Sequence, residues 1–384
     1  MAHPIYLDYN GTTPHDPEVI NAMRQFLEVD FGNPSSSHWY GIAPRRAVET
    51  ARAEIASALN CAPEEILFTS GGTESNNHAI KSVARLMRHR GNHIITSRIE
   101  HPAVLEVCRF LETEGFRTTY LPVDDTGRVR VKDLENAITP DTILISIMHA
   151  NNETGAVQPV AEIGALAAAR NIVFHSDAAQ SIGKIPVDVR EMKVPMLTVA
   201  GHKVYAPKGI GALYIQKNLK LEPFCHGAGQ EGGRRAGTEN VMHIVGLGKA
   251  CEVARRDLDR NTVHMRDLRD RLHDKIMSAI DQVRLNGPVE RRLPNTLNLS
   301  FYGIEANRLL EEIGLDVAAS AGAACHSNAV ADTVEISHVL QAMAVPEAWA
   351  RGTVRFSLGK MTTEPEIDRA VAVVAAAAKK LRSE

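Results

Sequence analysis

The sequence predicts an α/β protein: a large domain with a mostly parallel central sheet flanked by helices, and a smaller α+β domain. Three observations carry this. Short apolar runs alternate with helical periodicity through the first two-thirds of the chain. One such run, Ile66 to Thr69, ends in Ser70-Gly71-Gly72-Thr73 and leads straight into a helical pattern. Beyond the Gly- and Arg-rich stretch 227–237 the texture changes to a long helical tract and then to mixed strand and helix.

Taken in order, Asp16-Pro17 followed by Val19, Met23 and Phe26 reads as a capped helix with Pro in its first turn. Ile66 to Thr69 reads as a strand, and Ile80, Val83, Ala84 and Met87 mark one face of the next helix. His93 to Thr96 is strand-like and Pro102 to Leu111 helix-like. Thr142 to Met148 is strand-like and Val160 to Ala169 helix-like. Ile172 to Phe174 leads as a strand into His175-Ser-Asp-Ala-Ala-Gln180. Met196 to Val199 and Gly209 to Ile215 give two further strands. The stretch 227–237 reads as a long surface loop, and 241–280 as one long helical tract bridging the domains. From Arg291 the pattern is strand, helix, Gly/Ala-rich loop, strand and helix, ending in an Ala-rich amphipathic helix from Pro365. This places the large domain at 15–250, and the small one at 1–14 with 251–384.

Length and composition narrow the function. A chain of 384 residues, 44% hydrophobic and 23% charged, is an ordinary globular composition. A net charge of −3 argues against a nucleic-acid binder. The longest apolar run, Ala370 to Ala378, is about half of what a membrane span needs. The N-terminus carries no signal-peptide pattern, so a cytoplasmic location is expected. Five cysteines with no Cys-x-x-Cys pair suggest neither a disulfide framework nor a zinc site, and no metal is expected.

Five segments could carry chemistry. Lys203 follows a strand, in Gly201-His202-Lys203, and Asp177 ends another. Such a pair suits pyridoxal phosphate: the Lys joins the aldehyde, and the Asp pairs with the ring nitrogen. A solvated Lys and an unrelated strand-end Asp give the same pattern. The Gly-rich turn Ser70 to Ser75 could cradle a phosphate at a helix N-terminus, with Thr73 adding its hydroxyl, or be a plain tight turn. His101, in Glu100-His101-Pro102, could stack on a flat ring. Asn152, in Asn151-Asn152-Glu153-Thr154-Gly155, could bond a cofactor ring hydroxyl and a substrate carboxylate. Capping and turn formation explain either as well. Cys325 stands among small residues with His326 beside it, which suits an accessible nucleophilic thiol; a buried structural Cys is the alternative. Arg355, on a strand, suits bidentate capture of a carboxylate or an ion pair.

In this order the segments resemble the class V, fold-type I pyridoxal-phosphate enzymes of the cysteine desulfurase and selenocysteine lyase family. The resemblance runs from Tyr6-Leu-Asp-Tyr-Asn-Gly-Thr-Thr-Pro14 and Gly32-Asn-Pro-Ser-Ser36 to Arg355-Phe-Ser-Leu-Gly359. Phe68-Thr-Ser-Gly-Gly-Thr-Glu-Ser-Asn76, Asn151-Asn-Glu-Thr-Gly155, Gly229-Gln-Glu231 and Arg235-Ala-Gly-Thr-Glu-Asn240 are its more specific parts. The resemblance implies that Lys203 holds the cofactor and moves the Cα proton, and that Asp177 pairs with the ring nitrogen. It implies that Gln180 bonds the ring phenolic oxygen and that His101 stacks on the ring and transfers protons. Thr73, the Gly72 backbone and His202 would hold the phosphate. Thr238 would reach the phosphate of the neighbouring subunit of a homodimer with shared sites. Asn152 and Arg355 would bind the substrate carboxylate, and Cys325, on a mobile loop of the small domain, would receive the sulfur. The implied reaction converts L-cysteine to L-alanine and passes sulfur through a Cys325 persulfide to an acceptor protein, as in iron–sulfur cluster assembly.

Two departures point toward a lyase that takes L-selenocysteine and releases selenide. Ala200 stands where many desulfurases carry Ser, and His326 follows the Cys where many carry Ser or Thr. The chain ends soon after its last helix, so no long docking tail for a cluster scaffold is expected. An aminotransferase on the same fold and a non-catalytic sulfur-carrier scaffold are the remaining alternatives.

Overall fold

Residues 4–321 and 336–383 are described by a computed structural model of the chain. A two-residue strand β1 (Ile5–Tyr6) comes first. The Asp16 carboxylate then accepts the Glu18 N–H and Pro17 opens α1 (Pro17–Glu28), as the sequence implies. α2 (Trp39–Leu59) ends at Asn60 in the left-handed region, which Asn tolerates.

The central stretch alternates β2 (Ile66–Thr69), α3 (Gly72–Leu86), β3 (His93–Ser97), α4 (Pro102–Thr113), β4 (Arg117–Leu121), α5 (Val131–Ala137), β5 (Thr142–Ser146), α6 (Val160–Ala169), β6 (Val173–Asp177), β7 (Met196–Ala200) and β8 (Gly211–Ile215). These strands form one seven-stranded sheet in the order β2-β8-β7-β6-β5-β3-β4. Only β8 runs against the others, pairing antiparallel with β7 and β2. The short link from Ala200 to Gly211 holds no crossover element, so it returns the chain antiparallel. β2, β3, β5, β7 and β8 are buried along their whole length, which is why they read as unbroken apolar runs. Ala79, Ile80 and Val83 of α3 and Val104, Val107 and Leu111 of α4 cover one face of the sheet. The other face meets α2 through Val48 and Ile55 and α6 through Ile163.

Gly211 marks a close approach of two chain segments. A Cβ there would stand 2.6 Å from the Val199 carbonyl oxygen and 2.7 Å from the Gly71 Cα. Neither is a side chain that can swing away. Gly211→Ala is therefore expected to cost roughly 1–3 kcal/mol of stability, read as a lowered urea midpoint. An unchanged midpoint would show that β8 can shift without penalty.

The tract 241–280 is two helices rather than the one expected: α7 (Val241–Arg256) and α8 (Leu258–Ala279). Asp257 (φ −105°, ψ 10°) ends the first, its N–H reaching the Val253 carbonyl. Its carboxylate pairs with Arg256 and Arg260 at 3.0 Å on either side of the break. The two halves bury their faces in different places. α7 lies on α1 and α2, whereas Leu268, Leu272 and Ile276 of α8 enter a separate core. One straight axis could not serve both, yet the helical periodicity continues through the break and hides it.

The remainder comprises β9 (Val283–Leu285), β10 (Thr296–Phe301), α9 (Ala306–Ile313), β11 (Val317–Ala318), α10 (His338–Ala342), α11 (Glu347–Ala350), β12 (Thr353–Ser357) and α12 (Glu364–Ser383). β12, β10 and β9 form an antiparallel sheet. Leu297, Leu299, Val354 and Phe356 from it meet α8, and Ile367, Ala370 and Val374 of α12 close the core. β1 pairs in parallel with β11. The chain then crosses from this sheet to the large one. The Tyr9 N–H reaches the Ser357 carbonyl at 3.1 Å, and the Thr13 N–H reaches the His202 carbonyl at 3.0 Å. No helix among the described residues is long and apolar enough to cross a membrane.

Candidate active site

Every strand of the large sheet except β8 ends at the same edge, where ligands of open α/β sheets bind. A cavity of about 270 Å³ opens there. Each functional side chain arrives from a different strand end. Gly72 and Thr73 follow β2, His101 follows β3, and Asn152 follows β5. Asp177 and Gln180 follow β6, and His202 and Lys203 follow β7. Arg355 comes from β12 of the smaller sheet and closes the cavity from the opposite side. The first turn of α3 lies on the wall, with its backbone N–H groups and helix dipole. Gly72 packs closely there: a Cβ on it would stand 3.3 Å from the Ala200 Cβ.

Asp177 ends β6 with both carboxylate oxygens held. Oδ2 accepts the Asn76 amide at 2.7 Å, and Oδ1 accepts the Ala179 N–H at 2.9 Å. Only 6% of the residue is exposed, so the anion is rigid and largely dry. Lys203 sits on a single 3₁₀ turn, Gly201–Lys203. Its Nζ donates to the Gly11 carbonyl at 2.7 Å and also to the Asn10 carbonyl.

His101 caps α4, with Nδ1 accepting the Ala103 N–H at 3.1 Å. An accepting Nδ1 puts the ring proton on Nε2. His202 contacts the Thr12 hydroxyl through Nδ1 at 3.2 Å. Burial, and then the nearby Lys203, push its pKa down to about 4, so its ring is neutral near pH 7.

Arg355 is 1% exposed and forms a buried ion pair. Nη2 meets the Asp8 carboxylate at 2.7 Å, and Nη1 donates to the Asn152 carbonyl at 3.0 Å. Its Nε has no hydrogen-bond partner among the described residues. A buried guanidinium with spare donor capacity on a cavity wall suits a carboxylate ligand.

The structure thus brings together Gly72, Thr73, His101, Asn152, Asp177, Gln180, His202, Lys203 and Arg355. Thr238 does not line this cavity; it is exposed, on the segment before α7. Cys325 and His326 lie outside the described residues. Both flanks of that stretch reach the site's walls. Ser320 exchanges backbone hydrogen bonds with Arg355, and the Ser337 hydroxyl donates to the Glu153 carboxylate at 2.6 Å.

The segment 227–237 is more than a surface loop. Glu231 within it is buried and forks onto Arg52 at 2.8 and 3.0 Å. Arg235 pairs with Glu74 in the first turn of α3 at 2.9 Å. Glu231 and Arg235 therefore pin the segment beside the Gly72–Thr73 turn.

Asn10, Asn76 and Asp8 had no role assigned from the sequence. Asn76 had a readable signal, since it lies three and four residues past Thr73 and Gly72 and so shares their helix face. Asn10 and Asp8 stand inside the Tyr6–Pro14 motif. Only the tertiary fold shows that they touch Lys203 and Arg355.

The donor set fits pyridoxal phosphate: a Lys amine, a rigid buried carboxylate, and a close-packed glycine at a helix N-terminus. The buried Asn76 Oδ1, which has no partner among the described residues, leaves polar capacity beside the cavity that Asn76 lines.

Comparison with known proteins agrees. Residues 5–370 match the family model described as aminotransferase class V. A protein of Dictyoglomus turgidum named cysteine desulfurase IscS is 48% identical, covering 100% of this chain and 96% of its own. A solved NifS-like protein superposes with a TM-score of 0.91 at 38% identity, over 97% of this chain and 98% of its own. Another, described as SspA in complex with cysteine, superposes with a TM-score of 0.82 at 40% identity, over 94% of this chain and 100% of its own.

Proposed function

The chain belongs to the class V aminotransferase family, and we propose that it is a pyridoxal-phosphate-dependent cysteine desulfurase working in the cytoplasm. It takes sulfur from L-cysteine, leaves L-alanine and carries the sulfur as a persulfide on Cys325. The observation that carries this reading is the meeting of Lys203, Asp177 and Arg355 in one cavity. An amine to hold an aldehyde, an anion for a ring nitrogen and a cation for an amino-acid carboxylate are the three charges the chemistry needs.

Pyridoxal phosphate bound here supplies an aldehyde that joins the substrate amine and a ring that takes up the electron pair left at Cα. The Lys203 amine would hold it and would remove and return protons at the substrate. The Asp177 carboxylate would keep a proton on the ring nitrogen. The Gln180 amide would donate to the ring oxygen, and His101 would stack on the ring and move protons. Thr73, the Gly72 backbone and neutral His202 would hold the phosphate. Arg355, braced by Asp8, and Asn152 fix the substrate carboxylate. The Cys325 thiolate attacks the substrate sulfur. A sulfur–sulfur bond forms, the Cβ–sulfur bond breaks, and Cβ takes up a proton on the way to alanine.

Thr238 contributes to the phosphate site of a second copy in a homodimer. Exposed Leu27 and Val29 at the end of α1, Trp39 and Tyr40 at the start of α2, and Phe31, which stacks on Tyr40, offer apolar surface for such contact. The persulfide is delivered to an acceptor protein.

The test is alanine formation from L-cysteine and from L-selenocysteine by the wild type and by Cys325→Ala. Wild-type turnover of cysteine, lost in the variant, is the expected result. Equal turnover by both proteins would favour an aminotransferase-like or lyase reaction without a persulfide. Turnover of selenocysteine alone would favour the selenocysteine lyase reading, for which Ala200 in the cavity wall speaks.

A further inference from the structure

Behind Gln180, away from the cavity wall, lies Lys184, only 4% exposed. Its Nζ donates to Gln180 Oε1 at 2.8 Å and to Asn10 Oδ1 at 3.2 Å. The charged groups that act on it are Lys203 and Arg355, both of which disfavour a positive charge. Burial and these two cations hold its pKa well below the ordinary lysine range. A neutral amine has two N–H donors, and the site offers two acceptors, so the neutral form is fully matched. An ammonium would bury a third N–H.

The consequence falls on Gln180. Its Nε2 donates at 3.1 Å to the Asn10 backbone carbonyl, which can only accept. Its Oε1 is taken by Lys184. The amide orientation is therefore fixed by partners on both sides. One Nε2 hydrogen is engaged, which leaves the other for a ligand in the cavity that Gln180 lines.

We infer that Lys184 is a positioning residue, which locks the Gln180 side chain so that an amide N–H, rather than the amide oxygen, faces a ligand oxygen in the cavity. The inference rests on the pyridoxal-phosphate reading, in which that oxygen is the ring phenolic oxygen. Lys184 itself touches no ligand.

The holoenzyme tests this through its colour. The visible band of the Lys203-linked cofactor titrates with pH, and the midpoint reports how well the ring oxygen's negative charge is stabilised. A donor to that oxygen favours the more anionic form and lowers the midpoint. The other groups on the cavity (His101, His202, Asp177 and Arg355) are the same in every variant compared. Lys184→Met is expected to raise the midpoint by about one pH unit, the scale of one hydrogen bond to a charged oxygen. Gln180→Ala is expected to raise it similarly, and adding Lys184→Met to Gln180→Ala is expected to add nothing. Lys184→Leu, which likewise offers no donor, is expected to shift the midpoint in the same direction and stands in should the Met variant not fold.

A merely structural Lys184 would lower thermal stability and leave the midpoint of the folded holoenzyme in place, and that result would overturn the inference. A full-sized shift in the Gln180→Ala background would overturn it too, since Lys184 would then act on the linkage directly. If the wild type, reconstituted with pyridoxal phosphate, shows no visible band, the functional reading fails instead.

Discussion

Lys203→Ala is expected to fold, to bind pyridoxal phosphate without a covalent bond, and to lose alanine formation by about 10³–10⁴-fold or more. On the proposed reading Gly72 and Thr73 hold the phosphate from α3, a different segment, and the neighbouring His202 keeps its own side chain, so the variant keeps a place for the cofactor. It loses the amine that holds it and the base that moves protons at Cα. The measurement pairs steady-state alanine formation with mass spectrometry after borohydride reduction. Wild type should gain one cofactor adduct at Lys203, and the variant none. The control is built into the site, because Lys184 stands beside the same cavity. An adduct that persists in Lys203→Ala and maps to Lys184 would reverse the roles of the two amines.

Asp177→Asn is expected to lower kcat by about 10²–10³-fold, the scale for removing one preorganised electrostatic partner from a dry site. The substitution keeps volume but removes the charge opposite the ring nitrogen. It also turns an acceptor pair into a mixed group. Asn76 donates to one oxygen and the Ala179 N–H to the other, so whichever way the new amide points, an N–H meets an N–H or the ring nitrogen loses its acceptor. Asn76→Ala, which leaves the charge and loosens its hold, is expected to cost about tenfold. Cofactor content measured beside kcat separates binding from chemistry. An Asp177→Asn enzyme with near-wild-type kcat and full cofactor would remove Asp177 from the mechanism.

The sequence makes most of the large sheet legible because β2, β3, β5, β7 and β8 are buried along their length; the half-exposed edge strand β4 carries no such apolar run and does not read as a strand. Two further features stayed hidden. The antiparallel sense of β8 depends on the length of one link, which period-2 and period-3.6 patterns do not encode. The break at Asp257 leaves the periodicity intact while the helix changes its packing partner. In the site, motif residues such as Lys203, Asp177 and Thr73 stand out because each sits where a strand ends. Asp8, Asn10 and Lys184 do not. Asp8 meets Arg355 and Asn10 meets Lys203 far away in the chain, and no local spacing announces such pairs; Lys184 stands four residues past Gln180, but only its burial and its second contact, to Asn10, give that spacing a meaning.

The segment from Leu7 to Thr13 has a further consequence, for synthesis on the ribosome. It emerges before the large sheet, whereas Ser357, which its Asn10 bonds, follows 347 residues later. The Ser357 N–H reaches the Leu7 carbonyl at 2.8 Å, and the Asn10 N–H reaches the Ser357 hydroxyl at 2.9 Å. The same Asn10 and Gly11 carbonyls face the Lys203 amine. A nascent chain can assemble the large sheet early, since domains fold as units from the N-terminal side. Its lysine pocket gains a wall only when β12 has left the tunnel. Products terminated before β12 therefore lack this wall and Arg355 with it.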